Sequence, residues 1–144
     1  MQNPPPVQMS SQPPAQVAKS STGLDENIAA LLSYVFGWVP GLIFFLIEKD
    51  SRLVRFHAMQ SLLFNVVLGV LAIGLWIVLF IVFMIVAQIS GALTTLLSLA
   101  SILIWVVFSL VVVVGWILCL VKAFQGQYFK LPLIGNFAEK FSAK

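Results

Sequence analysis

Three apolar runs of 20, 26 and 26 residues, at 28–47, 62–87 and 96–121, contain no charged residue. Nothing else in the chain limits its fold as strongly. Each run reaches or exceeds the roughly 20 residues that a helix needs to cross about 30 Å of hydrocarbon. The third holds eighteen Leu, Ile, Val and Phe side chains. At about −0.3 to −0.6 kcal/mol each, they favour insertion by roughly −5 to −11 kcal/mol, far more than its serines oppose. Many of these residues are β-branched, a strand signal in water. In lipid, backbone groups must pair internally, and three runs cannot close a barrel. The expected fold is therefore an all-α membrane protein with transmembrane helices at about 28–47, 62–87 and 96–121.

Composition agrees. The chain is 60% hydrophobic and 9% charged, with mean hydropathy +1.05, whereas a soluble domain is typically about 25% charged. Residues 1–26 are different: they carry five of the seven prolines and no aromatic residue. They read as a disordered Pro/Gln/Ser-rich tail preceding a helical membrane domain at 27–144. No basic stripe interleaved with aromatics points to nucleic acid. The sole cysteine, Cys119, has no Cys or His at metal-ligand spacing, so no metal, cofactor or catalytic residue is expected.

The charges orient the spans. With three crossings, the 48–61 loop and the C-terminal tail share a side and carry seven of the eight Lys and Arg residues. The positive-inside rule then makes that side cytoplasmic, with the N-terminus outside and the protein in the cell (cytoplasmic) membrane. A rival topology lets the chain dip in and turn back at Pro40, in "GWVPG", leaving both ends cytoplasmic. The expectation is a kinked but continuous first helix, because irregular backbone exposed to lipid is costly.

"EKDSRLVRFHAMQS", 48–61, holds five of the thirteen charged residues and the one histidine. Asp50 and Ser51 suit an N-cap, so 51–61 reads as an amphipathic interfacial helix, with Arg52 and Arg55 reaching towards headgroup phosphates. Glu48 and Arg52 are spaced to pair. His57, Ser61 and Asn65, four apart, share one helix face, and with Gln60 they supply interhelical polar contacts. Gly37 with Gly41, and Gly115, Cys119 and Ala123, are small residues at four-residue spacing, suited to helix packing within a chain or between copies. After the third span, 133–141 reads as a second interfacial helix in which Leu133, Phe137 and Phe141 share a face. Lys130 belongs to the same basic rim, and Glu139 is expected to meet Arg52 or Arg55.

The stretches "YVFGWVPGLIFFLIEKDSRLVRFHAMQS" (34–61) and "KAFQGQYFKLPLIGNFAEK" (122–140) resemble a widespread family of small, uncharacterised prokaryotic multi-pass membrane proteins. That family is itself distantly related to the small multi-pass subunit of the chloroplast inner-envelope protein-import translocon. The resemblance rests on the Phe36–Gly37–Trp38 turn, the Glu48-to-Gln60 segment and the Gly126-to-Glu139 tail. It implies family membership and no catalytic residue. The expected role is a non-enzymatic packing or accessory component that presents a basic cytoplasmic surface. Its partners would be membrane lipids, other membrane proteins or a second copy of itself. The alternative is a subunit of an oligomeric channel or translocation complex, lined by Asn65, Thr94, Ser98 and Ser101.

Overall fold

The structure, a computed structural model, describes residues 18–132 and 134–142. The expected disorder of residues 1–17 lies outside the described residues. Five helices follow in order: α1 (Glu26–Val35), α2 (Trp38–Ile47), α3 (Arg52–Ala87), α4 (Gly91–Phe124) and α5 (Ile134–Ser142). Among the described residues, α3 and α4 are the two helices long and apolar enough to cross a membrane. At 1.5 Å per residue they are about 54 and 51 Å long. Gln88–Ser90 joins them, and residues 91–95 already belong to the first turns of α4.

The first apolar run is not one helix. It is two ten-residue helices, each only about 15 Å long, and neither reaches across a bilayer alone. The break lies at Phe36–Gly37, where Gly37 has φ 75° and ψ −138°, a conformation that a Cβ would strain. Pro40, the expected kink, sits harmlessly in the first turn of α2, where its missing N–H would have had no helical partner. Contacts fix the direction after the break. Gly37 lies beside Ser61 and Asn65, Gly41 against Ala58 and Ser61, and Phe45 under Arg55. As α2 advances, its partners on α3 therefore step back, so the two helices are antiparallel. On the other side, Asn27 lies beside Gly126 and Tyr34 beside Trp116, so α1 is antiparallel to the end of α4. The chain dips beside α3 and α4, turns at Gly37 and returns to the end it started from.

The expected three membrane helices are thus not confirmed: two helices among the described residues are long enough to cross, and the first run reverses. Ser21, before α1, donates its amide and hydroxyl to Glu48, after α2. Residues 18–25, assigned to the tail by sequence, instead form a turn docked on this junction, with an isolated bridge between Lys19 and Asp25. The N-terminal segment, the 48–51 turn and the C-terminal helix thus occupy one end of the molecule.

Packing is concentrated at that end. Ala30, Tyr34, Leu53, Cys119 and Ala123 form the buried core, flanked by Leu120, Phe129 and Leu131. Beyond Phe64 on α3 and before Gly115 on α4, the hairpin is bare. Val70, Ile73, Trp76, Ile102, Leu103 and Val111, among many others, are more than half exposed. In water such a surface would be untenable, whereas acyl chains solvate it.

Candidate functional site

The polar segment 48–61 is built into the packed end. Ser51 caps α3, its hydroxyl accepting from the Val54 amide at 3.2 Å. From there the helix runs straight on. The expected interfacial helix at 51–61 is simply its first three turns, and Leu53, Val54, Phe56, His57, Ala58, Gln60 and Ser61 are all buried. They are buried because α1, α2, α4 and α5 all pack on α3.

Most buried polar groups on this stretch find a partner, Arg55 Nε and Gln60 Oε1 excepted among the described residues. His57 Nε2 lies 3.1 Å from the Gln127 carbonyl oxygen, which can only accept, so Nε2 carries the proton. In the neutral ring Nδ1 then offers a lone pair, and the Tyr34 hydroxyl donates to it at 3.2 Å. Gln60 Nε2 donates to the Phe129 carbonyl at 3.0 Å, with Cys119 Sγ at 3.7 Å, while Gln60 Oε1 is buried with no partner among the described residues. Ser61 donates to the Gly37 carbonyl at 3.3 Å. Asn65 donates to Ser61 of its own helix. Trp116 Nε1 reaches the Tyr34 carbonyl at 3.1 Å. Trp116 thus takes up a carbonyl freed where α1 ends, and Ser61 ties the N-cap of α2 to α3.

The small residues serve contacts within one chain. A Cβ on Gly41 would stand 3.0 Å from the Ala58 carbonyl oxygen and 3.2 Å from Ser61. Gly115 faces the Phe64 ring, and Cys119 and Ala123 are in the core.

Glu48 is fully buried, and it does not pair with Arg52. Its Oε1 accepts from the Ser21 hydroxyl at 2.6 Å and from the amides of Ser51, Asp50 and Ser21 at 2.9, 3.0 and 3.0 Å. Burial pushes its pKa up, but the hydrogen bonds from the Ser21 hydroxyl and these amides outweigh burial and hold it below the usual carboxylate value. Arg55 lies over the Phe45 ring at 5.3 Å and donates to the Glu48 carbonyl at 3.2 Å. Sequence reasoning missed Ser21, Tyr34, Gln127 and Trp116. A buried His and Gln imply partners, but two of these are backbone carbonyls, which leave no mark in the sequence.

On α5, Gly135, Ala138 and Ser142 turn inward, while Phe137 and Phe141 stay at least half exposed. The helix packs through its small residues and keeps its aromatic stripe outside. Glu139 meets neither Arg52 nor Arg55. It bonds Lys130 at 2.7 Å, and that contact holds its pKa below the ordinary value. A cavity of about 350 Å³ opens here, lined by Arg52, Phe56, Tyr128, Lys130, Glu139 and Ser142. Every described Lys and Arg (Lys19, Lys49, Arg52, Arg55, Lys122, Lys130 and Lys140) lies at this packed end.

Proteins of the same kind occur in archaea. A UPF0132 membrane protein of Methanocaldococcus jannaschii is 38% identical over 126 residues, which cover 88% of this chain and 96% of the relative. One from Archaeoglobus fulgidus is 34% identical over 117 residues, 81% and 95% of the two chains. No solved structure matches the chain. Residues 24–138, from the docked turn through most of α5, match the magnetosome magnetite crystal formation protein family, and the chain belongs to that family of membrane proteins.

Proposed function

We propose that this is a non-enzymatic accessory protein of the bacterial or archaeal cytoplasmic membrane, anchored by the α3–α4 hairpin. The packed end faces the cytoplasm and offers its basic rim to anionic lipid or to an acidic partner. The observation that carries this reading is the segregation of cations. All seven described Lys and Arg residues lie at the packed end, and the Gln88–Ser90 turn opposite has none. The positive-inside rule then orients the hairpin without reference to the number of crossings. With the first run folded back, both its ends are cytoplasmic.

Helix length sets the pose. A bilayer is about 40–45 Å thick including headgroups. A tilt of about 40°, at the upper end of the observed range, brings the 54 Å of α3 to about 41 Å of depth. Arg52 and Gln88 then both lie among headgroups.

The polar side chains offered for a channel lining favour the accessory role. Thr94, Ser98 and Ser101 each donate to the carbonyl four residues back in α4, and Asn65 does the same in α3. The magnetite-forming role in the family's description would call for iron-binding side chains. Among the described residues no three His, Cys, Asp or Glu come together to hold a metal ion.

The test is energy transfer from the native tryptophans to dansyl-labelled lipid, in vesicles of mixed phosphatidylcholine and phosphatidylglycerol. Labelled phosphatidylglycerol should be enriched around the protein, less so as salt screens the rim. Equal transfer to labelled phosphatidylcholine would contradict the reading.

A further inference from the structure

Beside α5, two cavities share one stripe of α3. Arg52 and Phe56 line the first, Leu63 and Val67 the second. Successive steps of four, seven and four residues keep all four side chains within about 60° around a helix of 3.6 residues per turn. The opposite walls also come from one stretch of chain. Tyr128, Lys130, Glu139 and Ser142 face the first cavity, and Pro132, Ile134 and Phe137 the second. The cavities are about 350 and 250 Å³. The first is polar and lies at the charged end. The second is wholly apolar and lies deeper. From Phe56 to Val67 the helix rises about 17 Å along its axis, about 13 Å of depth at the tilt proposed above, which stays within one half of the roughly 30 Å hydrocarbon thickness.

We infer that this α3–α5 groove binds one anionic glycerophospholipid from the cytoplasmic leaflet, its phosphate in the Arg52–Lys130 cavity and an acyl chain in the Leu63–Phe137 cavity. The inference rests on the membrane pose proposed above and adds a defined site to it.

The charge balance of the upper cavity is what a phosphate needs. Among the lining side chains Lys130 is bonded to Glu139, and Arg52 has no hydrogen-bond or ion-pair partner among the described residues, so the lining itself carries one positive charge, while Glu26 acts on the Tyr128 hydroxyl from outside the lining. Arg52 lies close enough to Tyr128 and Glu139 to influence the ionisation of both. Its guanidinium presents paired N–H donors that match phosphate oxygens. The Tyr128 hydroxyl, also without a partner among the described residues, adds a third donor type. Phe56 lines the same cavity, its ring tilted 60° to that of Tyr128 at a centroid distance of 5.4 Å. A soluble phosphate compound would use only the upper cavity, and an apolar peptide only the lower. A charged head with an apolar tail, in that order of depth, matches both.

The experiment is native mass spectrometry of the full chain released from detergent, with added palmitoyl-oleoyl phosphatidylglycerol, the matching phosphatidylcholine, or glycerol 3-phosphate. One phosphatidylglycerol per chain should be retained in preference to phosphatidylcholine, and glycerol 3-phosphate should not be retained. Each Lys or Arg near an anionic lipid surface is worth about five-fold in binding. Arg52→Ala with Lys130→Ala should therefore cost roughly thirty-fold for phosphatidylglycerol and little for phosphatidylcholine. Val67→Trp, which fills the lower cavity, should weaken both lipids. Glu139→Gln releases Lys130 and should tighten phosphatidylglycerol, whereas mere loosening of α5 would weaken it. If Lys49→Ala with Lys122→Ala, away from the groove, costs as much as the groove pair, the site is refuted while the basic rim stands. If the wild-type chain shows no preference for phosphatidylglycerol, both readings fall.

Discussion

Removing the Glu48 carboxylate should undo the junction that returns the first apolar run to its starting end. Four donor groups converge on it: the Ser21 amide and hydroxyl and the amides of Asp50 and Ser51. Ser51 is buried, so in Glu48→Ala its amide is left without a partner, at a cost of about 1–3 kcal/mol. Ser21 and Asp50 are exposed and regain water, so each adds only about 0.5–1 kcal/mol. The expected loss is about 3 kcal/mol. Glu48→Gln keeps the acceptor oxygen on which the four donors converge but sets an NH2 group against the Ser21 amide, 3.1 Å from Oε2, and gives up the charge of the acceptor, so it should lose about half as much. Acid should have a related effect. The folded-state pKa of Glu48 lies below its unfolded value, so its contribution is complete above the unfolded pKa and fades as pH falls through the folded one. The acid side of the stability profile should accordingly flatten in Glu48→Gln. Unfolding in mixed micelles at graded SDS, followed by tryptophan fluorescence at several pH values, measures both effects. A Glu48→Ala chain within about 0.5 kcal/mol of wild type would refute the reasoning, since surface substitutions away from such features cost no more than that.

Other outcomes follow from the break and the core. Pro40→Ala should change stability by less than about 1 kcal/mol, because Pro40 is in the first turn of α2; relief of an interior kink would instead gain roughly 3 kcal/mol in the same unfolding assay. Gly37→Ala forces a Cβ into φ 75° and should destabilise by about 1–2 kcal/mol, with no new clash to add to it. Gly41→Ala sets a Cβ 3.0 Å from the Ala58 carbonyl, which is backbone and yields little, so overpacking of about 1–3 kcal/mol should outweigh the roughly 1 kcal/mol gained in helix propensity. Cys119, fully buried, should react with a maleimide only after SDS denaturation; labelling of the folded protein would contradict the core at Ala30, Tyr34 and Ala123.

Hydropathy made α3 and α4 legible, because a long uncharged run has few other fates in a membrane. It could not show that 28–47 reverses. An average over twenty apolar residues is the same for one crossing and for a dip and return. What decides between them is the backbone at Gly37, together with the side chains of Ser61 and Trp116 that hold the Gly37 and Tyr34 carbonyls. Pro40 drew attention as the obvious breaker, yet a proline three residues into a helix breaks nothing. The 48–61 segment misled in the opposite way. Its polarity reads as a stretch that stays wet, whereas Glu48, Ser51, His57, Gln60 and Ser61 are buried and, Gln60 Oε1 apart, hydrogen-bonded to neighbours drawn from separate parts of the chain. Periodicity puts His57, Ser61 and Asn65 on one face; His57 and Ser61 bond groups outside α3, while Asn65 bonds back to the Ser61 carbonyl of its own helix. Which groups they meet depended on the fold.

The return of the first apolar run is the central structural claim, and sidedness tests it directly. In a Cys119→Ser background, single Lys19→Cys, Ser90→Cys and Lys140→Cys substitutions are exposed to an impermeant maleimide outside intact cells, then again after permeabilisation. Reaction at position 90 alone in intact cells, with 19 and 140 reacting only once the membrane is opened, is the predicted result. Labelling of positions 19 and 90 together from outside would mean that residues 28–47 cross the membrane after all.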